Sequence, residues 1–196
     1  MKKNNVIISA EDVVKYKELI GHFQRDMLED FDSAVTDAVI RAIEKYSSDT
    51  SVTFDCDGDD VEYLLNIVKA AGYTIPIHDY TSSTGKLVLT LRFDKPGKSV
   101  RLNPLSISAR SASESLKTRI GKRINSIIRN TFNPKVIEAA KRGRNEVHME
   151  FLCYEGPVCK ELQRIMESNG YIVSSGIDMF ENRIEMRIVW LTRWNG

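Results

Sequence analysis

Apolar and polar positions alternate with two different periods along this chain, and the same order of periods occurs twice. In residues 51–93, apolar side chains recur first at every second position, then at every third and fourth, and then at every second position again. These periods predict a strand, an amphipathic helix and two further strands. The same order returns in residues 145–190.

The helix of each copy has recognisable end signals. Gly72 and Gly170, each followed by a tyrosine, stand where the helical spacing stops, and glycine there predicts the left-handed residue that ends a helix. Asp59 with Glu62 resembles a capping box at the start of the first helix, although Asp replaces Ser or Thr. Pro157 occupies a first-turn position in the second helix.

Helical spacing also precedes each copy. Apolar residues from Val13 to Phe31 predict an amphipathic helix of roughly twenty residues, and a second stripe extends from Val35 to Tyr46. Asp32 or Ser33 is a candidate cap between them, so two helices or one bent helix fit the pattern. In the second half, Ile120, Ile124 and Ile127 form the corresponding apolar stripe.

Eight ordered matches, at an offset between 95 and 100 positions, indicate a tandem duplication. We predict an α+β fold that repeats a unit of about 98 residues with the order α-α-β-α-β-β. Strand–helix–strand crossovers predict mixed sheets that are packed by helices. The presence of two copies predicts a pseudo-twofold relation between them. The predicted units are residues 1–97 and 98–196, and either two three-stranded sheets or one six-stranded sheet fits.

Composition narrows the class of protein. Hydrophobic residues make up 42% and charged residues 28% of the chain, which is ordinary for a globular protein. The sequence has neither the long apolar core of an export signal nor an 18-residue apolar run, so we expect no membrane partner. Cys56, Cys153 and Cys159 lack CxxC spacing and predict reduced thiols in the cytoplasm, or the host cytoplasm if the source is viral.

Charge is distributed unevenly along the chain. Residues 1–93 carry a net charge of −6, residues 94–145 carry +10 from 13 Lys or Arg and 3 Asp or Glu, and residues 146–196 carry −3. This basic segment predicts either phosphate binding or neutralisation of an acidic surface on this chain or a partner. Between Phe93 and Phe132 it contains no aromatic residue, which disfavours a platform for stacked bases.

Lys122, Arg123 and Arg129 lie off the isoleucine stripe, so we expect them to be exposed. Trp194, beyond the second copy, is a candidate partner contact or a cap over a sheet edge. The full set of candidates for binding nucleic acid or a partner is Arg119, Lys122, Arg123, Arg129, Lys141, Arg142, Arg144 and Trp194.

An acidic cluster follows the first strand of the first copy. Asp55, Asp57 and Asp59 are weak candidates for a metal site: a calcium loop has glycine at its sixth position and glutamate at its twelfth, whereas Gly58 is the fourth residue from Asp55 and Asn66 is the twelfth. The sequence favours a strand-to-helix loop whose acids complement the helix N-terminus over a metal site. We therefore predict no metal and no cofactor.

The sequence contains no recognised motif for nucleophilic or metal-dependent catalysis. The three histidines have no HExxH spacing, and no cysteine stands beside a histidine. Cys153 and Cys159 fall near a helix start, where the pKa of a thiol can be lowered, but a structural role fits them as well. No catalytic residue is predicted.

The corner Gly170-Tyr171-Ile172-Val173, followed by a strand that ends Ile188-Val189-Trp190, resembles small uncharacterised proteins encoded by large tailed bacteriophages. The resemblance covers about 45 residues of each copy and supplies no catalytic residues. It implies a virus-encoded accessory protein, inhibitor or virion component.

The sequence favours a non-catalytic binding protein that acts through a protein–protein surface across the two repeats, with a protein partner or its own copy. One alternative is a nucleic-acid-binding protein that uses the basic helices of residues 94–145. A further alternative is a small-ligand or nucleotide-binding protein with a pocket between the repeats.

Overall fold

A computed structural model describes residues 25–97 and 105–190. The described residues group into two compact units: residues 25–44, 48–97 and 105–115 form the first, and residues 45–47 and 116–190 form the second. The predicted helix from Val13 and the candidate Trp194 lie outside the described residues, apart from the part of that helix after residue 24. The predicted boundary after residue 97 stays a prediction.

The first unit is built from helices and a sheet. The elements are α1 (Arg25–Glu44), β1 (Asp49–Asp55), a 3₁₀ turn (Gly58–Asp60), α2 (Val61–Ala70), β2 (Thr74–Thr81) and β3 (Lys86–Arg92). Helix α1 passes through Asp32 and Ser33 without a break. The described part of the first predicted stripe and the second stripe as far as Glu44 therefore belong to one helix.

The three strands of the first unit form an antiparallel sheet in the order β1-β3-β2. The hairpin places β3 beside β2, and β1 then pairs with the other edge of β3, as in Val52 opposite Leu89. Strands β1 and β2 therefore run in the same direction without touching each other. The predicted mixed sheet is wrong, because insertion of β3 between these strands makes every pairing antiparallel.

One face of this sheet forms the core of the first unit. Leu87, Leu89 and Leu91 of the central strand have no exposed surface, and each buried leucine contributes roughly 1.5–3 kcal/mol. Phe31 of α1 packs edge-on against Phe54 with a centroid distance of 5.0 Å. The residues between the leucines are more exposed, which gives the alternation of a sheet covered by helices on one side.

Gly72 performs the predicted role at the end of α2. Its φ is +87°, and the amide of the next residue, Tyr73, donates to the carbonyl of Val68. The start of the helix differs from the prediction. Asp60 is the N-cap of α2 and makes no side-chain capping bond, so the proposed Asp59–Glu62 capping box is wrong.

The second unit repeats the order of strands and helices after its own N-terminal helices. The elements are α3 (Ala109–Ile127), which begins in the first unit, a π-helical turn (Ile128–Phe132), α4 (Asn133–Lys141), β4 (Glu146–Leu152), a 3₁₀ turn (Cys153–Glu155), α5 (Gly156–Ser168), β5 (Ile172–Asp178) and β6 (Arg183–Val189). Pro157 lies in the first turn of α5, as predicted.

The second sheet is also antiparallel, in the order β4-β6-β5. Ile184, Met186 and Ile188 of its central strand are buried, together with Leu162 of α5. Trp190 is half-buried and packs edge-on against Tyr171. The described part of the chain therefore has an α+β fold with two three-stranded antiparallel sheets.

Candidate functional site

The basic side chains of α3, the π-helical turn and α4 lie at the surface of the described chain. Ile124 and Ile127 are buried, so the opposite side of α3 faces solvent. The prediction that Lys122, Arg123 and Arg129 are exposed is confirmed. The remaining described candidates are also exposed: Arg119, Lys141, Arg142 and Arg144.

Only part of this charge is balanced locally. Arg142 forms an ion pair with Glu138 on the same helix, and Lys135 Nζ donates to the carbonyl of His148 at 2.9 Å. Within residues 25–97 and 105–190, no ion pair involves five of the exposed basic residues: Lys117, Lys122, Arg129, Lys141 and Arg144. These side chains are available to an anionic ligand.

Arg123 has a structural partner that the sequence did not indicate. Its Nε donates to Glu155 Oε1 at 2.9 Å, and the Glu155 side chain is only 7% exposed. The other carboxylate oxygen accepts from the amide of Leu152 at 3.3 Å. Arg123 therefore compensates a buried charge as well as contributing to the basic surface.

Two tyrosines from distant segments lie beside the basic helix in the second unit. Tyr46 and Tyr154 are parallel, with ring centroids 6.4 Å apart, and the guanidinium carbon of Arg119 lies 5.4 Å from the centroid of Tyr46. Tyr46 has a φ of +55°, a conformation that non-glycine residues seldom adopt. Sequence analysis missed this group, because neither tyrosine belongs to the basic segment.

The acidic cluster forms a strand-to-helix loop. Asp55, Asp57 and Asp59 are all exposed, and Tyr80 Oη donates to the carbonyl of Cys56 at 3.3 Å. In the described part of the chain, no group of three or more His, Cys, Asp or Glu side chains is placed to hold a metal ion. Burial and the neighbouring aspartates raise the pKa of the Cys56 thiol.

The thiol of Cys159 at the start of α5 is not activated as a nucleophile. Cys159 is buried, and this burial together with the carboxylate of Glu155 raises its pKa to about 12. The idea that the start of α5 lowers the pKa of this thiol is therefore wrong. All three cysteines are free thiols, as predicted.

The β5–β6 hairpin presents large apolar side chains at its tip. Phe180 is 103% exposed, Met179 81% and Ile177 65%. Asp178 Oδ1 accepts from the amides of Phe180 at 2.9 Å and Glu181 at 3.1 Å, which holds the turn in shape. The adjacent pair Met-Phe within a turn segment was the only sequence signal for this patch, and sequence analysis did not select it.

A groove of about 870 Å³ lies between α3 and α5 of the second unit. Its floor includes Ile120, Gly121 and Ile124 from α3 and Pro157 and Ile165 from α5. In the described residues no helix is long and apolar enough to cross a membrane.

Comparison of the chain with protein-family models, with curated proteins and with solved structures gave no match. Any functional conclusion therefore depends on these surfaces.

Proposed function

We propose that the chain is a non-catalytic binding protein that engages a protein partner or a second copy of itself. The observation that carries this proposal is the exposed apolar tip of the β5–β6 hairpin, formed by Ile177, Met179 and Phe180. An aromatic ring displayed on a turn fixed by Asp178 is a ready anchor for a pocket on another protein. Burying such a side chain contributes roughly 1.5–3 kcal/mol.

The test compares the double variant Met179→Ser/Phe180→Ser with Ile137→Ser. Ile137 is 56% exposed on α4, so it controls for the loss of an exposed apolar side chain away from the hairpin. Affinity capture from the native source and sedimentation velocity at several protein concentrations would report partner binding and self-association. We expect the double variant alone to lose the complex.

Equal complex formation by both variants would contradict the role of the hairpin. Turnover of a substrate by the purified protein, abolished by one side-chain substitution, would contradict the non-catalytic proposal itself.

Binding of nucleic acid is the second candidate function. The exposed basic residues that form no ion pair with a described residue favour it, and Tyr154, which stacks on Tyr46, adds an exposed aromatic ring that the basic segment lacks. Contacts between such lysines or arginines and phosphates release counterions, so affinity falls as salt rises.

A fluorescence-anisotropy titration with labelled DNA and RNA at two salt concentrations tests this second candidate. The variant Lys122→Glu/Arg129→Glu reverses two exposed charges and leaves both residues of the Arg123–Glu155 pair in place. A nucleic-acid binder would lose affinity for all sequences and show a shallower salt dependence. Absence of binding tighter than about 10⁻⁴ M would exclude this candidate.

We also infer that the two units arose by tandem duplication. Gly72 and Gly170, 98 positions apart, have φ values of +87° and +85°, and each precedes a tyrosine that packs edge-on against an aromatic residue. The pairings of β1 with β3 and of β4 with β6 have the same register, displaced by 97 positions, as in Asp49 opposite Arg92 and Glu146 opposite Val189. The viral source and the small-ligand alternative stay predictions.

A further inference from the structure

The floor of the groove between α3 and α5 is apolar although it faces solvent. Ile120 and Ile165 are half-buried, and Ile124, which also lines the groove, is buried. Isoleucines at positions 120 and 124 recur at helical spacing on α3 and face the neighbouring helix across the groove. Two adjacent helices with a shared apolar furrow form the surface that an additional amphipathic helix recognises.

Gly121 gives this groove an unusual feature. It lies in the interior of α3, where glycine lowers helix stability relative to alanine. Among the described residues, nothing outside its own helical turns comes within 4 Å of the position that a Cβ would occupy. Packing within the described chain therefore does not require glycine here. Close approach of another molecule to the helix backbone would require it.

The charges around the groove indicate the chemistry of that molecule. Arg164 donates two hydrogen bonds to Glu161, at 2.9 and 2.7 Å, and Glu167 accepts from Gln163 at 2.8 Å. Lys117 and Lys160 also line the groove but form no ion pair with a described residue. The charged residues that line the groove are three cations and two carboxylates, a net charge of +1, and this balance favours a ligand with carboxylates.

We propose that the groove between α3 and α5 binds an acidic amphipathic helix of a protein partner. Apolar side chains of that helix contact Ile120, Ile124 and Ile165, its backbone approaches Gly121, and its flanking carboxylates pair with Lys117 and Lys160. This surface is separate from the hairpin tip, so the proposal extends the protein-binding function without depending on Phe180.

The probe is a fluorescein-labelled helical peptide of about 18 residues, long enough to be partly helical, with leucine at heptad spacing and glutamate on both flanks. A second peptide carries lysine in place of every glutamate. Anisotropy titrations use the full chain and the variant Gly121→Leu, which places a side chain in the open space of the groove. Ser115→Leu, at an exposed position of the same helix outside the groove, is the matched control.

We expect the acidic peptide to bind the wild type and Ser115→Leu with equal affinity, and to bind Gly121→Leu at least about tenfold more weakly. The variant Lys117→Glu/Lys160→Glu should bind the acidic peptide about tenfold more weakly than the wild type and bind the lysine peptide more tightly, because the sign of the charge at the rim of the groove is reversed. Cooperative thermal unfolding of each variant, at a temperature no lower than that of the wild type, shows that the fold is retained.

Two results would overturn the proposal: absence of measurable binding of the acidic peptide, or equal binding by the wild type and Gly121→Leu. Preference of the wild type for the lysine peptide would overturn the assignment of an acidic partner. Retention of peptide binding by Met179→Ser/Phe180→Ser is also expected, so failure at the hairpin and failure at the groove are distinguishable.

Discussion

Replacement of Arg123 by alanine is expected to destabilise the second unit, although Arg123 lies on the surface. The substitution removes the charged donor 2.9 Å from Glu155 Oε1 and leaves a carboxylate that is 7% exposed with the Leu152 amide as its described donor. A hydrogen bond to a charged group contributes about 1.5–3 kcal/mol, whereas breaking a fully buried ion pair costs about 3–5 kcal/mol.

The lower range applies here, because the Arg123 side chain is 43% exposed and water replaces part of the lost interaction. We therefore expect Arg123→Ala to lower the free energy of unfolding by roughly 1.5–3 kcal/mol. Lys122→Ala is the matched control: Lys122 is exposed on the same helix and forms no ion pair with a described residue, so its loss should change stability by less than about 0.5 kcal/mol.

Urea denaturation followed by tryptophan fluorescence is a suitable assay, since both tryptophans, at positions 190 and 194, belong to the second half of the chain. A double-mutant cycle with Glu155→Gln should show a coupling energy of about 1–2 kcal/mol, because removing both charges leaves no unpaired carboxylate. Equal losses in Arg123→Ala and Lys122→Ala would refute the reasoning.

Three further predictions concern the second unit. Gly121→Ala should raise the free energy of unfolding by about 1 kcal/mol, because a mid-helix glycine with open space at its Cβ gains helix propensity. Gly170→Ala should lower it by about 1–2 kcal/mol, since φ is +85° there; urea denaturation measures both. The neutral thiol of Cys159 stabilises the fold below pH 9.0 and loses this effect as pH rises toward 12, so stability relative to Cys159→Ala should fall over that interval.

The periodicity of the sequence predicted the elements whose faces differ in burial. Alternation around Leu87, Leu89 and Leu91 identified β3, and these leucines fill the core of the first unit. The glycines before Tyr73 and Tyr171 identified the helix ends, because a left-handed residue is required there. Strand order was not predictable in this way, since local periodicity does not reveal which edge of β3 accepts β1.

The candidate sites depend on contacts between residues that are far apart in the sequence. Local sequence patterns therefore predict only part of each site. The exposure of Lys122 followed from the isoleucine stripe, but the pairing of Arg123 with Glu155 spans 32 positions and has no local signal. The stacking of Tyr46 with Tyr154 is similarly remote. The groove beside Gly121 is lined by residues of both α3 and α5, and the spacing of apolar residues along either helix does not predict that the two helices lie side by side.

The central claim, that the hairpin tip contacts another protein, is tested most directly by photo-crosslinking. A benzophenone amino acid replaces Phe180 in one sample and Asn145, an exposed residue of the same unit, in the other. Both proteins are irradiated in their native cells, and crosslinked products are identified by mass spectrometry. The account predicts a discrete protein adduct, or a dimer of this chain, at position 180 alone. Absence of any adduct at position 180, or the same adducts at both positions, would contradict it.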